Sequence, residues 1–125
     1  KIALCVYFND CAPLYAKLAA LPVDVLRLDF TYNPKLVDVV SAAGAPMPLA
    51  LGLVDGRNTR LEDVATVARQ VEKLLPRIAG GVAFLSTSSG LEYLPREKAF
   101  AKLQLLGKIQ AAVEGQRARG AQQPA

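Results

Sequence analysis

The sequence predicts the α/β class, with parallel strands that each lead into a helix. Three observations carry this. Short apolar runs occur four times, each is followed by a segment with helical spacing, and polar residues cluster where an apolar run stops. Alternation of that kind builds a parallel sheet with helices packed outside it. The clearest junction is Leu49-Ala50-Leu51-Gly52-Leu53-Val54, which breaks abruptly into Asp55-Gly56-Arg57-Asn58-Thr59. An uninterrupted apolar run fits a strand buried on both faces. The carboxyl end of such a strand is where α/β proteins place ligands and chemistry.

The first predicted strand is Ile2 to Phe8, and Ala12 to Leu21 follows it, rich in Ala and Leu, with Pro13 suited to a first helical turn. The second is Val23 to Phe30. Asn33 and Pro34 then read as N-cap and first helical residue, Leu36, Val37, Val39 and Val40 share a side, and Gly44 supplies a left-handed stop. The third is Pro48 to Val54. Its helix has Leu61, Val64, Val67, Ala68, Val71, Leu74 and Leu75 at three-four spacing, Asn58 or Thr59 as cap, Glu62 and Asp63 in the first turn, and Pro76 beyond its end. The fourth is Gly81 to Leu85, which runs into Ser86-Thr87-Ser88-Ser89-Gly90. Pro95 then opens a helix with Ala99, Leu103, Leu106 and Ile109 on one face.

An open doubly wound sheet and half of an eight-stranded barrel both accommodate four such units. A dinucleotide-binding sheet wants a glycine-rich turn after its first strand, and Tyr7-Phe8-Asn9-Asp10-Cys11 has no glycine. The barrel explains why every strand end has polar residues of its own. The fold expected is therefore a parallel (β/α) barrel of the TIM type, seen as its carboxyl-terminal half in residues 1–114, with a frayed tail in 115–125. The chain opens inside an apolar run without an initiator Met, which predicts a piece of a longer polypeptide.

At 125 residues, 52% hydrophobic and 21% charged, the chain can bury a core. No apolar run reaches the ~18 residues that span a bilayer, and nothing reads as a signal peptide. Cys5 and Cys11 match no metal-binding spacing and read as reduced thiols of a cytoplasmic protein. Histidine is absent, which removes the commonest general base and metal ligand. The net charge of +4 lies wholly in residues 96–125. There it is spread along a helical pattern without interleaved aromatics, a solvated face rather than a nucleic-acid surface.

Four segments in order resemble the cobalamin-independent methionine synthase family: Tyr7-Phe8, Leu21-Pro22-Val23 into Leu28-Asp29, Leu51 to Asn58, and Ser88-Ser89-Gly90-Leu91-Glu92-Tyr93-Leu94-Pro95. Asp55-Gly56-Arg57-Asn58 is the most specific of them. The likeness is to the amino-terminal barrel of the two-barrel enzymes more than to the catalytic one. It implies a role in moving a methyl group from methyl-tetrahydrofolate polyglutamate, the substrate, to homocysteine. In the family's catalytic barrel zinc is held by His and Cys after one strand, Glu after the next and Cys after the last. By strand order these positions fall at Val6 and Phe8, Asp29, and Ser89, and a shift of one residue brings Cys5 near the first. Two apolar side chains and a serine do not make a zinc site, so the resemblance implies that zinc lies outside this segment. A half barrel also exposes its edge strands and its interior, so partners are expected: the amino-terminal half of the barrel, a catalytic barrel, or a second copy of the chain.

The candidate ligand-binding residues are Asp29, Asp55, Arg57, Asn58, Ser88 and Ser89. The planar fork of Arg57 suits the carboxylates of a polyglutamate tail, and the serines can offer hydrogen bonds to an anion. Each also has a purely structural reading. Asp55 can pair with Arg57 or cap a helix, and the serines can form a local polar turn. With no histidine, no serine here has a general base to make it a nucleophile. Two alternatives stand beside the methyl-transfer reading: a barrel kept as an interaction module without a ligand, and another small-molecule barrel enzyme of the same superfamily. The last would favour an arginine-rich mouth, whereas Arg57 is the only arginine at these strand ends before Arg96.

Overall fold

The computed structural model describes residues 1–122. Four parallel strands, β1 (Ala3–Cys5), β2 (Val25–Asp29), β3 (Leu49–Val54) and β4 (Ala83–Thr87), form one sheet in sequential order. Between them lie α1 (Tyr15–Ala19), α2 (Leu36–Ala43) and α3 (Val64–Leu74), and α4 (Arg96–Gln122) follows β4. A parallel sheet with no reversal of order, joined by right-handed crossovers, puts every helix on one face. A doubly wound sheet would have helices on both.

Strand alternation sorts the side chains. Leu26 and Leu28 of β2 and Leu49 and Leu51 of β3 are buried in one apolar cluster with Leu36, Val37 and Val40 of α2, Val67, Ala68, Val71 and Leu74 of α3, and Leu105, Ile109 and Val113 of α4. The register aligns Cys5, Arg27, Ala50 and Phe84 across the opposite face. Among the described residues no helix covers that row, and Phe84 is 53% exposed on it.

The first strand is shorter than the apolar run that predicts it, and the chain leaves β1 before Phe8, which sits at φ 68°. Helix α2 stops where expected: Gly44 takes φ 76° and its N–H donates to Val40 O at 2.8 Å. Helix α3 starts later than its pattern suggests. Its cap is Asp63, whose carboxylate accepts from Thr66 N at 3.0 Å, and not Asn58 or Thr59. Helix α4 runs on through residues 115–122, where a frayed tail was expected, and residues 123–125 of that tail lie outside the described residues. Its buried side is Lys102, Leu105, Ile109 and Val113, whereas Leu103 faces outward. Among the described residues no helix is long and apolar enough to cross a membrane.

Candidate functional site

The polar residues after β2, β3 and β4 meet at one end of the sheet because parallel strands deliver all their carboxyl ends to the same side. Asp29 closes β2 and is buried. Its carboxylate accepts from Thr31 Oγ1 at 2.6 Å, Thr31 N at 2.9 Å and Phe8 N at 3.4 Å. Asp55 follows β3 and accepts from Arg57 N at 2.8 Å, Arg57 Nε at 3.1 Å and Asn58 Nδ2 at 3.0 Å. Arg57 also donates to Thr31 Oγ1 at 2.8 Å and lies 3.9 Å from Asp29. The guanidinium thus ties the ends of β2 and β3 together.

Burial pushes the Asp55 carboxyl up, but hydrogen bonds from Arg57 and the charges of Arg57 and Lys102 outweigh it and hold it below the usual carboxylate range. For Arg57, desolvation works against the charge, and the bond and charge of Asp55 with the charge of Asp29 more than restore it. Aromatic rings frame the same group. Arg57 Cζ lies 4.5 Å from the Tyr32 ring centre and 5.7 Å from that of Phe8. Tyr93 stands 6.0 Å beyond Phe8, and these four side chains line a shallow open pocket.

Ser88 and Ser89 are both buried, and their hydroxyls turn onto the backbone. Ser88 Oγ accepts from Gly56 N at 3.0 Å, and Ser89 Oγ donates to Gly90 O at 3.2 Å. A Cβ on Gly56 would fall 2.8 Å from Ser89 Oγ and 2.9 Å from Gly90 O, so glycine lets the loops after β3 and β4 touch. The six sequence candidates therefore share one end of the sheet, with Arg57 the one presented to the aromatic pocket.

Sequence reasoning missed the group beneath them. Lys102 of α4 is fully buried, and its ammonium donates to Glu62 Oε1 at 2.6 Å, to Asn58 Oδ1 at 3.4 Å and to the Arg60 carbonyl. Glu62 in turn accepts from Asp55 N at 3.0 Å. One cation thus holds the loop after β3 from below. The signal was present: Lys102 shares the helical spacing of Leu105, Ile109 and Val113. Thr31, bridging Asp29 and Arg57, was missed too, because nothing in its local sequence marks it.

Among the described residues no three of His, Cys, Asp and Glu converge as metal donors. Asp29 spends its oxygens on Thr31, Phe8 and Arg57. Phe8 and Val6 have no donor atoms, so the residues present do not fit a zinc ion.

The chain is similar to known proteins in sequence and in fold. Residues 1–79 match the family described as cobalamin-independent synthase, N-terminal domain. The 5-methyltetrahydropteroyltriglutamate–homocysteine methyltransferase of Saccharomyces cerevisiae is 34% identical over 96 residues, which are 76% of this chain and 12% of that protein. The protein of the same name from Chelativorans sp. is 37% identical over 98 residues, again 76% and 12%. The chain thus spans about an eighth of the length of these relatives. A solved B12-independent methionine synthase from Shewanella sp., in complex with selenomethionine, shares the fold at a TM-score of 0.67 and 17% identity, over 85% of this chain and 31% of that one. The match over residues 1–79 makes the chain a member of the cobalamin-independent methionine synthase family, within its N-terminal domain.

Proposed function

We propose that residues 1–114 are the carboxyl-terminal half of a (β/α)8 barrel that serves methyl transfer from a folate polyglutamate to homocysteine in the cytoplasm. The segment supplies scaffold and contacts to the folate or its polyglutamate tail, and the zinc chemistry belongs to a separate catalytic barrel. Sequential parallel order with helices on one face supports the half-barrel reading, as do the named activities of the relatives. The remaining strands come from the amino-terminal half of the same barrel.

One observation carries the ligand contact: a part-exposed Arg57 guanidinium set between the rings of Phe8 and Tyr32 where the strands end. In this reading Arg57 meets the carboxylate. Asp29, Asp55 and Asn58 aim it, and Ser88 and Ser89 fix the loops that carry them. The test is calorimetric titration of the complete polypeptide with methyl-tetrahydrofolate triglutamate, wild type against Arg57→Ala. A weakening of about tenfold or more is expected, since charge-assisted bonds contribute about 1.5–3 kcal/mol. Equal binding by both forms removes Arg57 from the ligand contact, and absence of binding in both sinks the folate role.

A second reading has its own support. Arg57 already donates to Asp55 and Thr31, which suits a barrel kept as an interaction module with the arginine as a strut. In that case neither wild type nor Arg57→Ala binds the folate, and the substitution lowers stability.

A further inference from the structure

The open face of the sheet carries a charge that no ion pair among the described residues includes. Arg27 lies in β2 between Leu26 and Leu28, which point into the core. Its own side chain takes the other face, beside Cys5 of β1 and Ala50 of β3 in register. It reaches over β3 to donate from one terminal nitrogen to the Thr87 carbonyl at 2.6 Å. Its Nε is buried and has no hydrogen-bond partner. None of the ion pairs among the described residues includes Arg27. Asp29, on the same face of β2, is already held by Thr31, Phe8 and Arg57.

We propose that the surface covering this face is the amino-terminal half-sheet of the barrel, and that it presents an aspartate or glutamate to Arg27. The proposal rests on the half-barrel reading above. Covering the face strips water from a guanidinium that cannot shed its proton, and a buried charge without a partner is strongly unfavourable. A carboxylate matches both the charge and the free Nε–H. A second copy of this chain does not fit. Alternate strands fill each layer of a barrel interior, so two-fold closure would set β2 opposite β2 and bring two Arg27 guanidinium groups into one layer. The complementary half must therefore differ from this one in charge.

Two measurements on the complete polypeptide separate the proposal from the reading beneath it. The first is alkylation of Cys5, which is exposed on the open face of this chain, followed by peptide mass mapping. Protection in the native state and labelling after unfolding are expected. Immediate native labelling would overturn the covered face, and with it the half-barrel reading.

The second is the urea midpoint of Arg27→Met and Arg27→Lys between pH 8 and pH 5. Arg27→Met strands the partner carboxylate. Its midpoint should fall well below wild type at pH 8 and recover more than half of that gap at pH 5, where the acid takes up a proton. Failure to fold at pH 8 with recovery at pH 5 is the same result. Arg27→Lys keeps the charge and should show little pH-dependent deficit. Among the described residues the titratable groups on the same face as Arg27 in β1 and β2 are Cys5 and Asp29, so the Arg27→Met series is repeated with Asp29→Asn. Persistence of the recovery assigns the acid to the partner, and its disappearance overturns the proposal. A deficit of equal size at both pH values, or none, also overturns it, while protection of Cys5 would still uphold the covered face.

Discussion

Lys102 shows how one buried cation can organise a loop. Its stem occupies a core position of α4 while its ammonium meets Glu62, Asn58 and the Arg60 carbonyl. Replacing it with Met keeps much of the volume but leaves Glu62 and a carbonyl without their donor. Lys102→Met is expected to lower stability by about 2 kcal/mol, measured by urea denaturation, and to loosen the Asp55–Asn58 loop. Unchanged stability would mean that solvent replaces the ammonium at no cost. Asp55 gives a pH signature. Its folded carboxyl is held below the ordinary value by Arg57 and Lys102, against the opposing effect of burial. The stability it contributes is therefore fully present above the unfolded value of about 3.9 and is lost as pH falls through the lower folded value. Asp55→Asn should flatten the acid limb of the stability profile, and an identical acid limb in both proteins would refute the coupling.

Helix ends record the competition between local signals and the site. Asn58 was a reasonable cap by residue type, but its amide donates to Asp55 and its oxygen accepts from Arg60 N and Lys102. Glu62 turns back to Asp55 N. With those residues committed to the loop, α3 cannot begin before Asp63. Helix α4 differs from its predicted face for a related reason. Lys102 is counted among polar residues by composition, yet its stem packs as an apolar one, which turns Leu103 to solvent. The stop of α2 was legible because glycine at a left-handed position is a purely local requirement. Gly44→Ala, at φ 76° and with its Cβ 3.3 Å from Arg77 O, should lower stability by about 1–2 kcal/mol. Thermal unfolding measures it, and a midpoint equal to wild type would contradict the strain.

The sheet as a whole has one face buried by helices and one bare. The bare face mixes small residues with Arg27 and an exposed Phe84, an association-prone surface when nothing covers it. Phe84→Ser is expected to keep the helical and strand content of the 125-residue chain, measured by circular dichroism, and to shift its light-scattering mass toward the monomer. In the complete polypeptide the same change should lower stability, by about 3 kcal/mol as for other large core deletions. Retained folding of the 125-residue chain with a loss of stability in the complete polypeptide is the signature of a face that is covered only in the larger protein. A loss in both would place Phe84 in the core of this chain alone.

Period and punctuation in the sequence determined the order of elements, the four strands and the loops that meet at their carboxyl ends, because apolar runs, helical spacing and glycine stops act over a few residues. The resemblance in Asp55-Gly56-Arg57-Asn58 led to the family for the same reason: a motif is local. What the folded arrangement alone decided is pairing at a distance. Thr31 bridges Asp29 and Arg57, Ser88 accepts from Gly56, Lys102 reaches Glu62, and Arg27 crosses to Thr87. Thr31 and Asp29 apart, these partners lie 26 to 60 positions from one another and become neighbours only when the parallel strands bring their ends together and α4 packs beneath them. The strength of each polar group there depends on the water those contacts exclude.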